Sequence, residues 1–304
     1  MRKNQKRTYT VALLIIIAAL LGVVIGILPE RVIETETPDE VTEDVETASE
    51  SLDYDNTVPE ETKVIIEETH TVAPEIKTDA PEIYIVIDDV GNNLSSLRRQ
   101  LQISVPVTFA LMPDRPFSEE SARLIKEAGF DMILHQPMEA MGGQNPGVGA
   151  LYAGMDEDEI YKVLDSNLRG FPEIKGINNH MGSKVTANKK SMDAIMSYLA
   201  EREMFFLDSV TTGESVAEQT AAEKGVAFAK RNSLFLDNED NVESIKKAFI
   251  SGVEVAEATG RAIMIGHVKT ALLTDVIEEA AGELKNAGYV FRGISSLFEK
   301  GGVR

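Results

Sequence analysis

The chain has 304 residues, 43% of them hydrophobic, contains no cysteine and carries a formal net charge of −20. That length holds one large domain of roughly 200–250 residues with appendages, and the absence of cysteine excludes a disulfide framework or a thiolate metal site. So large an acid excess excludes nucleic acid as a partner, because phosphate recognition needs clustered Lys and Arg.

The charge is unevenly spread. Arg2, Lys3, Lys6 and Arg7 are the only charged groups in residues 1–28, and they precede an apolar run from Val11 to Leu28. As a helix rising about 1.5 Å per residue, this run, lengthened by Thr8–Thr10, approaches the roughly 30 Å of a hydrocarbon core. No small-residue cleavage site follows Leu20. The expectation is a basic cytoplasmic tail (1–8), an uncleaved transmembrane signal anchor (9–28) and an extracytoplasmic remainder. A cleaved, secreted form is the alternative. Residues 29–80 hold 17 acidic and three basic groups without sustained periodicity, which predicts a disordered acidic linker.

From residue 81 to 304 the pattern changes to strand–helix alternation. Apolar runs at Ile83–Ile87, Val107–Leu111, Met132–Leu134, Gly176–Asn178, Phe205–Leu207, Val226–Ala229, Ala262–Gly266 and Tyr289–Phe291 predict strands. Amphipathic stretches at Glu119–Ala128, Asp156–Leu168, Lys189–Arg202, Ser215–Lys224, Ser244–Thr259 and Thr274–Asn286 predict helices. Asp156 with Glu159 and Ser215 with Glu218 have capping-box spacing or a close variant, and Asp240 or Asn241 is placed to cap the helix that follows. Gly129, Gly225 and Gly288 each follow a helix, as left-handed caps do. Seven or eight βα units in 224 residues imply an α/β fold whose parallel sheet closes, or nearly closes, into a (β/α) barrel. A doubly wound open sheet is the alternative, but no G-x-G-x-x-G follows the first strand.

The chemistry-bearing residues stand where those strands end. Asp88 and Asp89 follow Ile83–Ile87, His135 follows Met132–Leu134, His180 follows Gly176–Ile177 across two asparagines, and His267 follows Ala262–Gly266. Parallel strands bring such groups to one carboxyl edge, where barrels place their chemistry. Two histidines and one carboxylate leave an open position on a divalent metal, the catalytic arrangement of zinc. One aspartate of the pair would bind the cation while the other stays free as a base, and His267 would serve as a third imidazole ligand or a proton donor. Asp208 and Asp237 follow later strands, and either would accept a hydrogen bond from an imidazole and fix its tautomer. Residues 136–154 form a long loop with Gly142, Gly143, Gly147, Gly149 and Gly154, expected to overhang the site. Arg115 and Lys184 are the nearest basic groups.

These motifs resemble the divergent polysaccharide deacetylase family of the glycoside hydrolase/deacetylase superfamily. The resemblance rests on IVIDDVGNN at 85–93, HQPME at 135–139, NNHMGS at 178–183, FLDS at 206–209, FLDNED at 235–240 and IGH at 265–267, in order over residues 81–299. It implies an irregular (β/α) barrel, with Asp88 as base, Asp89 as metal ligand and His267 as the late acid. Ordinary polysaccharide deacetylases take both metal histidines from one His-x-x-x-His motif. This chain has none, so the ligands are assigned to His135 and His180 on separate strands. Asn179, Gly142 and Gly143 are the substrate-binding candidates. The expected function is metal-dependent removal of acetyl groups from a cell-envelope polysaccharide. The rival readings are a non-catalytic glycan-binding or scaffold protein and a glycosidase pairing Asp89 with Asp208.

Overall fold

The protein is described here from a computed structural model covering residues 80–299. The expected anchor and almost all of the expected linker lie outside these residues, as do residues 300–304. Among the described residues no helix is long and apolar enough to cross a membrane.

Strands and helices alternate along the chain. They run β1 (Glu82–Val90), α1 (Leu94–Gln100), β2 (Thr108–Leu111), α2 (Ser118–Glu127), β3 (Asp131–Met138), α3 (Glu157–Leu168), β4 (Gly176–Met181), then α4 (Ser183–Thr186) and α5 (Lys189–Glu201). The second half runs β5 (Phe205–Asp208), α6 (Ala217–Lys224), β6 (Phe228–Lys230), α7 (Val242–Thr259), β7 (Arg261–His267), α8 (Leu272–Asn286) and β8 (Val290–Arg292), and ends in a 3-10 turn at Ile294–Leu297. The Asp156–Glu159 capping box forms, with bonds of 2.9 Å in both directions. Asn241 caps α7 by accepting from Ser244 N at 2.9 Å. Gly129, Gly225 and Gly288 have φ of +77°, +71° and +91°, the left-handed caps expected. Ser215 departs from expectation: its hydroxyl donates to Asp208 and accepts from Ala217 N, and α6 starts without a side-chain cap.

Every strand pairing is parallel, in the order β6-β5-β4-β3-β2-β1-β7. β8 pairs with the first three residues of β1, below the point where β2 takes over that edge. The gap between β6 and β7 is bridged by the segment after β6. Asn232 Oδ1 accepts from Ile263 N at 2.7 Å, and Leu236 N donates to Ile265 O at 2.8 Å. The sheet is thus a nearly closed barrel, and the open-sheet alternative falls.

Period-two alternation divides each strand between two apolar layers. Ile83, Ile85, Ile87, Phe109, Leu111, Leu134, Ile177, Phe206 and Met264 are buried in the outer layer, against the helices. Tyr84, Val86, Ala110, Ile133, Phe205, Leu207, Ile263 and Ile265 point inward and fill the barrel. Ile294 joins this inner cluster from below, with Leu297 and Phe298 packed against it and Phe298 stacked on Phe205. Asp131 anchors this plug, accepting from Ser295 N at 2.9 Å and from Ser295 Oγ at 2.6 Å. Burying a side chain such as Ile294 contributes about 1.5–3 kcal/mol, so the amino end of the barrel is sealed by packing as well as by hydrogen bonds.

Candidate active site

The inward-facing series that fills the barrel turns polar at its carboxyl end. Tyr84 and Val86 lead to Asp88, Ile133 leads to His135, Leu207 leads to Ser209, and Ile265 leads to His267. On β4 the same face carries Asn178 and His180. The expected residues therefore form the top layer of the barrel interior, with Asp88 opposite His267 in the β1–β7 register and His135 opposite Asn178 between β3 and β4.

Adjacent residues on a strand face opposite ways, so Asp89 needs a separate device. Its φ is +65°, and the β1–β2 register slips between Ile87 and Val90. The left-handed residue is a local irregularity that turns a second carboxylate back over the barrel mouth beside the first. A non-glycine residue costs free energy in that conformation, and such strain collects at functional sites.

Asp89, His135 and His180 converge on one point. Asp89 Oδ1 lies 3.2 Å from His135 Nε2 and 3.0 Å from His180 Nδ1, and the two nitrogens are 3.2 Å apart. Yet Asp89 Oδ1 is buried without an aligned hydrogen-bond donor. Three lone-pair atoms directed at a shared centre, with an orphaned carboxylate oxygen among them, fit a divalent cation as common partner. Burial alone would raise the Asp89 carboxyl, but the two imidazoles hold it far below the usual range, so it is an anion. His135 Nδ1 meets Asn178 Oδ1 at 2.8 Å, and an amide oxygen only accepts. Nδ1 therefore carries a proton, and in the neutral imidazole that a metal selects the lone pair is on Nε2, the outer hydrogen bond that fixes a metal-binding tautomer.

Asn178 also connects this cluster to the second carboxylate. Its Nδ2 donates to Asp88 Oδ1 at 2.9 Å and to Ser209 Oγ at 3.2 Å. Asp88 is 2% exposed, and burial raises its carboxyl despite the nearby imidazoles of His135 and His267. Its other oxygen lies 3.7 Å from His135 Nε2, so Asp88 borders the donor cluster without belonging to it.

His267 faces the same mouth from β7. Its Nδ1 is 2.9 Å from Asp237 Oδ1, and its backbone N donates to Asp237 Oδ2 at 2.9 Å. Burial would lower the imidazole, but the hydrogen bond and charge of Asp237, with the charges of Asp88 and Asp89, push it up to about 9. Asp237 is correspondingly depressed: burial opposes this, and its hydrogen bonds to His267 prevail. A raised imidazole contributes stability that is fully present below its unfolded value of about 6.5 and is lost as pH rises through about 9. Replacing Asp237 with Asn removes the charge that holds the proton. The His267 titration, followed by NMR, should then fall toward the ordinary value near 6.5, and the alkaline limb of any His267-dependent activity should fall with it. An unchanged titration would show that Asp237 does not set it.

The second face of His267 is also held. Phe235 stacks on the imidazole with centroids 5.7 Å apart, and the Arg231 guanidinium lies 4.0 Å above the Phe235 ring. Arg231 in turn donates to Ser209 O and Val210 O at 3.0 and 3.1 Å, clamping a turn in which Val210 has a φ of +54°.

Other expected residues sit elsewhere. Asp208 follows an inward residue and so points outward, its oxygens accepting from Val210 N and Ser215 Oγ at 2.7 Å each. It orients no imidazole, and the glycosidase pairing with Asp89 loses its second carboxylate. Asn179, expected at the substrate, faces away from the mouth. Its Oδ1 accepts from Ser209 N at 2.9 Å and its Nδ2 donates to Met181 O at 2.7 Å. Alternation on β4 makes Asn178 the asparagine of the site, and its place two residues before His180 was the available signal. Gly142 and Gly143 are exposed on the loop after β3. That loop is tied down by Leu151 N donating to Pro137 O and Glu139 N donating to Leu151 O. Lys184 pairs with Glu139 at 2.7 Å.

Comparison with known proteins agrees with this picture. Residues 85–298 match the family described as divergent polysaccharide deacetylase. The uncharacterized protein YibQ of Escherichia coli K12 is 35% identical over 183 residues, covering 60% of this chain and 57% of that protein. An uncharacterized protein of Haemophilus influenzae Rd is 33% identical over 183 residues, covering 60% and 65%. The match thus spans about three fifths of the length of these curated relatives. Among solved structures, an uncharacterized protein of Agrobacterium tumefaciens C58 shares the fold with a TM-score of 0.66 and 21% identity, covering 72% of this chain and 89% of that one. A barrel of inward-facing carboxylates and imidazoles and a family match over most of its length lead to one conclusion: the chain belongs to the divergent polysaccharide deacetylase family.

Proposed function

We propose that the protein is a zinc-dependent hydrolase that removes acetyl groups from an acetylated cell-envelope polysaccharide. The observation that carries this reading is the convergence of Asp89, His135 and His180 on one centre, with Asp88 and the His267–Asp237 pair beside it. Two imidazoles and a carboxylate in a chain without thiolates suit zinc and leave a coordination position open. A metal bound there supplies Lewis-acid polarisation of the acetyl carbonyl and lowers the pKa of an attacking water. Asp88, as carboxylate, takes the proton of that water as its oxygen bonds to the carbonyl carbon. His267, still protonated near neutral pH, gives a proton to the amine or alkoxide as the carbon–nitrogen or carbon–oxygen bond breaks. Water and the acetylated sugar thereby become acetate and the free amino or hydroxyl sugar. The loop carrying Gly142 and Gly143 borders the path of the glycan.

The basic tail and apolar run at the N-terminus support a single-pass anchor with the barrel outside the cytoplasm. The test of the whole reading is direct. Purified protein is analysed for bound metal, and acetate is measured after addition of acetylated oligosaccharides, before and after chelation. Stoichiometric metal and chelator-sensitive acetate release are the expected result. A metal-loaded protein that binds glycan but never releases acetate would support the non-catalytic envelope-binding alternative instead.

A further inference from the structure

The rim around the barrel mouth differs from the rest of the surface. Among the described residues the exposed large apolar side chains are Phe117, Met141, Val148, Tyr152, Leu234 and Val242, 39–58% exposed. Four of the six lie on segments that leave the carboxyl ends of neighbouring strands, Phe117 after β2 and Met141, Val148 and Tyr152 after β3, whereas Leu234 runs beside β7 and Val242 opens α7. Exposed apolar groups gathered on one face mark a binding surface.

Within this rim stands Arg115. Its backbone N donates to Ser118 Oγ at 3.0 Å, and its side chain starts beside Gly91, where an added Cβ would come within 3.2 Å of Arg115 Cβ. Gly91 lies two residues beyond Asp89. The guanidinium ends against Gly147 of the loop after β3, where an added Cβ would stand 2.3 Å from Nη2. Arg115 is half-buried, and among the described residues its Nε is buried with no acceptor and its guanidinium has no ion-pair partner, whereas Lys184 is held by Glu139. A partly desolvated cation is costly unless an anion meets it, and the planar guanidinium fork matches the oxygens of a carboxylate or phosphate.

We propose that Arg115 recognises an anionic group on the sugar polymer, so that the substrate is an acidic acetylated glycan whose apolar sugar faces rest on the Phe117–Val148 side of the rim. This rests on the deacetylase reading for the identity of the mouth. The domain is acidic overall, with residues 81–304 carrying 33 acidic and 23 basic groups, so long-range attraction would not favour such a polymer. The preference must come from the local contact, and one side chain should control it.

Three acetylated oligosaccharides of matched length test this with the zinc-loaded full chain: a uronate, a phosphate-bearing sugar and the carboxyl-reduced neutral form. Calorimetry measures binding, and acetate is assayed in the same samples. The parent should bind at least one anionic form about 10- to 100-fold more tightly than the neutral form, as expected for a charge-assisted contact. Which anion wins distinguishes carboxylate from phosphate. Arg115→Gln should erase that preference and leave neutral binding unchanged, and Val148→Ser should weaken all three alike. Arg115→Lys, which keeps the charge but loses the fork, should lose at least half of the preference even if Arg115→Gln folds poorly. Equal affinity for all three, no binding of any, or a preference that survives in Arg115→Lys undiminished would overturn the assignment. Anion preference without acetate release leaves Arg115 assigned and rejects the hydrolase reading; acetate release without preference does the reverse.

Discussion

Asp88→Asn is expected to keep the metal and lose about 10²–10⁴-fold in acetate release, the range for a positioned general base. The substitution preserves size and still offers an oxygen to the Asn178 amide, which now bonds Asp88 Oδ1 at 2.9 Å. It removes only the ability to take a proton. Because Asp88 borders the Asp89–His135–His180 cluster without belonging to it, metal content should match the parent by elemental analysis. His267→Ala should show a comparable loss, again with metal retained, and the double variant should fall by less than the product of the two. Both groups act on the same acyl transfer, so removing one leaves less for the other to do. Activity within tenfold of the parent in Asp88→Asn would remove it from the role of base.

His135→Ala and His180→Ala should each lose most of the bound metal on dialysis against a moderate chelator, since two remaining donors hold a divalent ion poorly. The two differ in a second respect. His135 is 2% exposed and its Nδ1–H satisfies the buried Asn178 oxygen, so its removal opens a cavity and orphans an acceptor. An unsatisfied buried group costs about 1–3 kcal/mol, and thermal unfolding should report that loss even in metal-free protein. His180 has a side chain 20% exposed on the rim, and its removal should cost little stability once the metal is gone. A variant lacking both histidines that still retains one tightly bound equivalent would refute the ligand assignment.

Much of this site was legible in the residue order because strand ends are easy to find and parallel strands share an edge. Asp88, His135, His180 and His267 follow from that alone. Asp89 is harder: adjacent carboxylates on a strand diverge, and nothing in the residue types announces the left-handed backbone that brings it inward. Asn178 and Asn179 are identical side chains, and choosing between them requires the parity of β4. The same parity turns Asp208 outward. The Arg231–Phe235–His267 stack depends on the segment that bridges β6 and β7, a closure made by an irregular stretch with no strand periodicity of its own. Ser215 had the spacing of a cap, but α6 starts only at Ala217, with Val216 in the cap position.

The packed inner layer and the plug formed by Ile294, Leu297 and Phe298 close the barrel below the site, which is reached from the carboxyl mouth. A polymer cannot be threaded through it. If the substrate is the proposed glycan, it would lie across the mouth and dip a single substituent inward, which suits modification anywhere along a chain rather than only at its ends. Under the proposed activity, the small product would leave by the same mouth that the polymer covers, so its departure would be coupled to the chain lifting or sliding.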